Sequence, residues 1–290
     1  MKAAVLTLAD AYDTIVLRPE VATGSDPVIC KQWDLGAPEV RASTSPRPGA
    51  DGNYDSTFLT GPRTVVFELA LMGDDPYTMV ERLVAMAHPS RRPVLKIKRG
   101  NAGATGETWE MQLRGNPFSI SYGRRAAALL ELQLSFEAPL GYLVSPWRET
   151  SSGVATGTAS QGFVFPAVFP LSTGHGSSFN PIATQRIGGS APVAPVITIY
   201  GPATNPQISD TTGGTFTFAG LTLSSGQFVR IDMGAGTVRL NGATNASLYH
   251  LIDWSKSTFW TWMPGTTPTV RYVANSGQIS VQWRERRLTV

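Results

Sequence analysis

The chain has 290 residues, enough for two ordinary domains, of which 42% are hydrophobic and only 16% charged. With 29 glycines and 21 prolines, this composition argues against charge-driven disorder and against a helical bundle, and suits short strands joined by tight turns. The net charge of +3 is mildly basic, and the clusters Lys96–Arg99 and Arg284–Arg287 interleave like the wet face of a strand, which argues against a nucleic-acid partner.

The N-terminal run Ala3–Ala9 is broken by threonine and ended by Asp10, too short for the apolar core of a secretory leader. No window approaches the roughly 20 apolar residues of a membrane span. The expectation is a protein made in a reducing cytoplasm, without membrane insertion. Its one cysteine, Cys30, excludes an intramolecular disulfide and reads as a buried thiol in an apolar strand.

Thr14–Leu17 and Val28–Ile29 read as early strands. Residues 40–57, with Pro46, Pro48, Gly49 and Gly52, read as a long irregular loop, a feature usually functional or ordered by a partner. A strand follows over Arg63–Leu71. Asp75 and Pro76 then predict a helix start, with Tyr77, Val80, Leu83, Val84 and Ala87 on one apolar face and Pro89 as the stop. Strands are predicted over Pro93–Lys98, Thr108–Arg114, Phe118–Tyr122 and Ala128–Glu137. In the last, Leu130, Leu132, Leu134 and Phe136 alternate with polar residues, as in a sheet with one wet face.

Residues 1–149 carry most of the 24 basic and 21 acidic side chains, and the shift in composition beyond them marks a domain boundary. Thr150–Ser160 reads as linker, and Phe163–Pro170, apolar but broken by prolines, as part of an extended arm over 150–192. Short strands then recur at Val196–Tyr200, Gly214–Ala219, Leu221–Leu223, Phe228–Asp232, Val238–Leu240, Phe259–Trp262, Val270–Val273 and Ile279–Trp283, the pattern of a β-sandwich.

Catalytic and metal signatures are missing from the sequence. His88, His175 and His250 have no ligand partner at helical or strand spacing, and no Gly-x-Ser-x-Gly elbow is present. The glycine pairs at 188–189 and 213–214 lack the strand-to-helix context of a phosphate loop. The expectation is a protein that assembles with others rather than an enzyme, with no catalytic residues, cofactor or metal. The aromatics of the second half leave a rival open: Trp254 and Trp260 as a sugar-stacking platform of a carbohydrate-binding module for cell-wall adhesion. Against it, Trp260 and Trp262, two apart, fill a sandwich core.

One ordered set of features runs along nearly the whole chain. Gly61-Pro62-Arg63 leads into a strand; the capped helix with Leu83 and Pro89 follows, then Leu95-Lys96-Ile97 and the strand ending in Phe136. Later come Pro195-Val196-Ile197-Thr198-Ile199-Tyr200-Gly201, Asn205-Pro206 and Phe259-Trp260-Thr261-Trp262-Met263-Pro264-Gly265. This order resembles the distal tail proteins of siphophages, minor tail proteins of the tail-tip or baseplate ring. The resemblance implies a mostly β chain. Its N-terminal β-barrel or sandwich domain, with one helix and a tail-tube-like fold, would span 1–149. A C-terminal galectin-like β-sandwich would span 193–290, with the 150–192 arm between them or part of it. It further implies a structural virion protein of the phage tail tip: a homo-oligomer, hexameric as a ring, joining the major tail tube protein to the tail-tip hub protein. The tape measure protein and receptor-binding proteins would be further neighbours. Arg63, Arg47 and Tyr54 are the candidate subunit-interface residues.

Overall fold

The structure, a computed structural model, describes residues 4–17, 28–41, 45–46, 51, 53–54, 59–73, 75–99, 107–115, 120–126, 129–153, 181–243, 246–274 and 276–289. The chain divides into two compact units, Met1–Pro146 with Arg287–Val290, and Trp147–Arg286.

The first unit is built on two long strands whose alternation was plain in the sequence. Leu129–Ala138 pairs antiparallel with Arg63–Met72, setting Leu130 opposite Leu71 and Phe136 opposite Val65. Leu130, Leu132, Leu134 and Phe136 are all buried, while Gln133 and Glu137 stay exposed. Val28–Asp34 adds to one side of this pair, and Arg114–Gly115 and Ser121–Ala126 add to the other. A second sheet runs Thr14–Leu17, Ala4–Ala9, Val94–Arg99, Thr108–Gln112 and Leu143–Val144, with the returning chain end at Arg287 on its edge. The two sheets share one core, in which Leu8, Leu17, Ile97 and Leu95 meet Phe67 and Phe136. The last two rings stand edge to face at 6.0 Å.

The helix spans Pro76–Met86, where it was expected. The Asp75 carboxylate accepts the Tyr77 N–H at 3.1 Å and the Thr78 hydroxyl, satisfying donors that a helix start leaves open. The buried stripe is Pro76, Met79, Val80, Leu83 and Met86. Tyr77, assigned to that face from its spacing, is instead exposed, because it sits one position off the stripe. His88 lies past the helix end, and its Nδ1 accepts the Ser90 N–H at 3.2 Å.

Within residues 40–57, read above as an irregular loop, the described residues include two short ladders, one of them with 59–60. Val40 and Arg41 pair with Thr60 and Leu59, and Ser45 and Pro46 pair with Tyr54 and Asn53. These two short ladders make a narrow antiparallel ribbon. Two-residue ladders interrupted by proline and glycine leave no alternation to read, so the sequence signalled only the turn chemistry.

The second unit is a sandwich. One sheet runs Arg148–Gly153, Gln278–Trp283, Val196–Tyr200, Phe228–Asp232 and Thr237–Leu240. The other runs Ile182–Ala183, Thr269–Val273, Gln207–Asp210 and Thr215–Thr217. Their inner faces bring Ile197, Ile199, Val229 and Val281 together with Phe216, Trp262, Tyr272 and Trp283. Three readings change here. Thr150–Gly153, expected as linker, belongs to the strand Arg148–Gly153, which pairs along Gln278–Trp283. Gln207–Asp210 is a strand that the sequence did not disclose. Phe259–Trp262 is not a strand: within it only Trp262 makes a ladder-type bridge, to Val193. The proline-broken segment Phe163–Pro170 lies outside the described residues.

Candidate interaction site

In the first unit Arg63 begins the long strand Arg63–Met72 and turns its side chain inward, leaving the residue 3% exposed. Its Nη2 donates to the Gly141 carbonyl and, at 2.8 Å, to the Leu288 carbonyl. Gly141 has φ +63°, and a Cβ there would stand 2.4 Å from the Gly61 carbonyl oxygen, so this turn requires glycine. Arg63 thus ties the base of the ribbon, the 138–141 turn and the chain end together within one unit. Burial lowers its pKa from the ordinary arginine value. Next to Leu288, the Arg287 guanidinium stacks on the Trp109 ring at 4.2 Å, a second hold on the same chain end.

Arg63 also forms one wall of an open cleft of about 790 Å³, lined with it by Glu39, Thr64, Arg114, Ser135 and Glu137 among others. Glu39 precedes the ribbon, whose Val40 and Leu59 are exposed apolar side chains. Of the other candidate interface residues, Tyr54 lies in the ribbon strand Asn53–Tyr54. Arg47 lies outside the described residues.

The second unit places the two candidate sugar-stacking residues in different surroundings. Trp254 is 50% exposed and stacks on Tyr249, with centroids 5.8 Å apart and planes at 19°. Trp260 is 8% exposed and lies flat under Gly214, where a Cβ would come within 2.4 Å of its ring. The two rings thus differ in exposure, Trp254 open to solvent and Trp260 covered by Gly214.

The same region holds a polar knot that the sequence reading missed. Asp210 is buried, and its Oδ2 accepts Trp262 Nε1–H at 2.7 Å. Its Oδ1 accepts the N–H groups of Thr212 and Gly214 at 3.0 and 2.8 Å. The legible signal was the turn Asp210-Thr211-Thr212-Gly213-Gly214, an aspartate capping its own glycine turn. A second buried acid, Glu285, pairs with Arg148 Nε at 3.2 Å and accepts the Gly188 N–H at 2.9 Å.

Among the described residues no group of three or more His, Cys, Asp or Glu is placed to hold a metal ion. The Cys30 thiol is buried, and its pKa is pushed up to about 12, chiefly by desolvation and then by Glu68. His250 sits exposed in a single 3-10 turn, Tyr249–Leu251. His175 is outside the described residues. No helix among them is long and apolar enough to cross a membrane.

Comparison with known proteins gives this architecture its context. Residues 188–286 match the family described as siphovirus-type tail component, C-terminal domain. No curated protein matches the sequence. Among solved structures, the chain is similar to the SPP1 Dit (gp 19.1) protein, described as a paradigm of the hub adsorption apparatus in phages infecting Gram-positive bacteria. The TM-score is 0.61 at 10% identity, over 97% of this chain and 99% of that one. It is also similar to a chain of the phage P2 baseplate in its activated conformation with Ca, with a TM-score of 0.48, 12% identity and complete coverage of both chains. Residues 188–286, within the second unit, are thus similar to a siphovirus-type tail-component C-terminal domain. The described chain is mostly β and shares its fold with the SPP1 Dit protein over 97% of its length.

Proposed function

We propose that this chain forms the distal tail ring, joining the tail tube to the tail-tip hub by assembly and without catalysing a reaction. The observation that carries this reading is the tail-component match over residues 188–286 within a chain whose full length shares the distal-tail fold. Six copies would close head to tail, each giving one surface and receiving another, which is how a heterologous contact ends in a ring. The tail tube protein and the hub would meet its two faces, with the tape measure protein and receptor-binding proteins as further neighbours.

The first unit suits the ring contact. The ladder of Val40–Arg41 with Leu59–Thr60 carries Val40 and Leu59 in the open, and exposed apolar side chains are what a subunit contact covers. Arg63, Arg47 and Tyr54 are assigned to this contact region, with 1–149 as the ring-forming domain, 150–192 as an arm and 193–290 as a galectin-like sandwich. Negative-stain imaging of the purified chain, alone and with the tail-tube protein, tests the reading. Six-fold rings are expected, seated on tube ends when tubes are present. Bare tube ends beside dispersed monomers would reject it.

A further inference from the structure

The first unit is completed by residues that lie beyond the second. Leu143–Val144 is its last strand before the chain crosses into the second unit, and Arg287 returns beside that strand at the same sheet edge. There the Arg287 guanidinium covers the ring of Trp109, a core residue only 5% exposed, and the Leu288 carbonyl accepts from the buried Arg63. The second unit holds the chain up to the residue before. The Arg286 carbonyl accepts the Ser190 N–H at 2.8 Å, and the Glu285 carboxylate accepts the Gly188 N–H at 2.9 Å. At Gly189, with φ +92°, a Cβ would stand 2.3 Å from the Arg286 carbonyl oxygen, so this grip requires glycine. One peptide bond later the chain belongs to the first unit.

We propose that the second unit acts as a folding-dependent clasp on the first: when folded it holds its own two ends together and so delivers Arg287 and Leu288 to the edge formed by Trp109 and Arg63. The physical reason is loop closure. With the second unit unfolded, docking Arg287 closes a flexible loop of roughly 140 residues, which the logarithmic length dependence disfavours on the order of a thousandfold. The folded unit removes that cost, because Arg148 stands opposite Trp283 in its ladder and pairs with Glu285 at 3.2 Å. A cation stacked on one ring and a single bond to a carbonyl are at most comparable with an uncompensated closure, so without the fold the docked segment becomes marginal. The first unit is therefore fully closed only in chains whose second unit has folded. If the first unit makes the ring contact, chains with an unfolded second unit bring an unfinished surface to assembly. That consequence rests on the ring reading; the clasp does not.

The test is hydrogen exchange of the whole chain, read peptide by peptide by mass spectrometry. Asp210→Ala weakens the second unit directly, since the partners of Asp210 all lie there. At a urea concentration that unfolds the second unit of this variant but not of wild type, peptides covering Thr108–Gln112 and Leu143–Val144 should exchange at least roughly tenfold faster in the variant. Arg287→Ala, without urea, should speed the same peptides about threefold to tenfold and leave Val196–Tyr200 unchanged. Equal exchange of the first unit whether the second is folded or unfolded, or no response to Arg287→Ala, would overturn the proposal while leaving the ring reading intact. Faster exchange of Val196–Tyr200 in Arg287→Ala would overturn it too, because the loss would then be general rather than an opened clasp. Conversely, failure to form rings would not disturb these rates, since the measurement needs no assembly.

Discussion

In the second unit the buried acid Asp210 is saturated by an indole N–H and two backbone amides, and the buried Glu285 by Arg148 and an amide. In the first unit the buried Arg63 donates to two carbonyls and has no carboxylate partner among the described residues. The second unit thus meets its buried acids with donors of its own, although Thr217 Oγ1, Trp260 Nε1 and Trp283 Nε1 are buried there without a partner among the described residues. The first holds a buried cation bound only to carbonyls among the described residues. The difference is one of charge: the family match falls on the unit whose buried charges are acidic and met by donors, and the buried cation falls on the other.

The largest effect that bears on this contrast is expected in the first core. Phe136→Ala removes a buried ring stacked edge to face on Phe67 and should cost about 3–5 kcal/mol. In a calorimetric scan the loss should appear in one transition and leave the second unit's transition in place. A single transition displaced as a whole would break the contrast between the units. Asp210→Ala comes next. It strands Trp262 Nε1–H and the Gly214 amide in the interior and should cost roughly 2–4 kcal/mol, confined to the second unit. Denaturant titration followed by tryptophan fluorescence would measure it, and a change below about 1 kcal/mol would show that the knot is dispensable.

The smallest effect is electrostatic. Arg82 donates to Asp13 through Nε and Nη2 at 2.8 and 2.6 Å and holds that carboxyl below its ordinary value. A carboxyl whose pKa is lowered on folding contributes stability that is present above its unfolded value, near pH 4, and is lost as pH falls through the folded value. The pair is partly exposed, so Asp13→Asn should lower stability at pH 7 by no more than about 1 kcal/mol, with the gap to wild type closing as pH falls below about 4. A gap that widened on acidification would refute the assignment.

Much of the fold was legible because local pattern and tertiary role agreed. The alternation over 129–138, the Asp75–Pro76 helix start and the central strand Val196–Tyr200 all stand where the sequence put them. What stayed hidden depended on distant partners. Trp262 looked like one position of an aromatic strand, yet its neighbourhood is set by Asp210, 52 residues earlier in the chain. Arg148–Gly153 carries no apolar alternation and becomes a strand because Gln278–Trp283 offers it an edge. The ribbon's ladders are two residues long, below what a periodicity can reveal. Arg63 could be singled out by position alone; that it is buried emerges only once Gly141 and Leu288 are brought to it.

The central claim, that this chain acts as a ring, is tested most directly by native mass spectrometry of the purified protein with and without the tail-tube protein. The account predicts a closed species of six 31.1 kDa subunits, formed alone or on addition of the tube protein. A chain that remains monomeric under both conditions would contradict it.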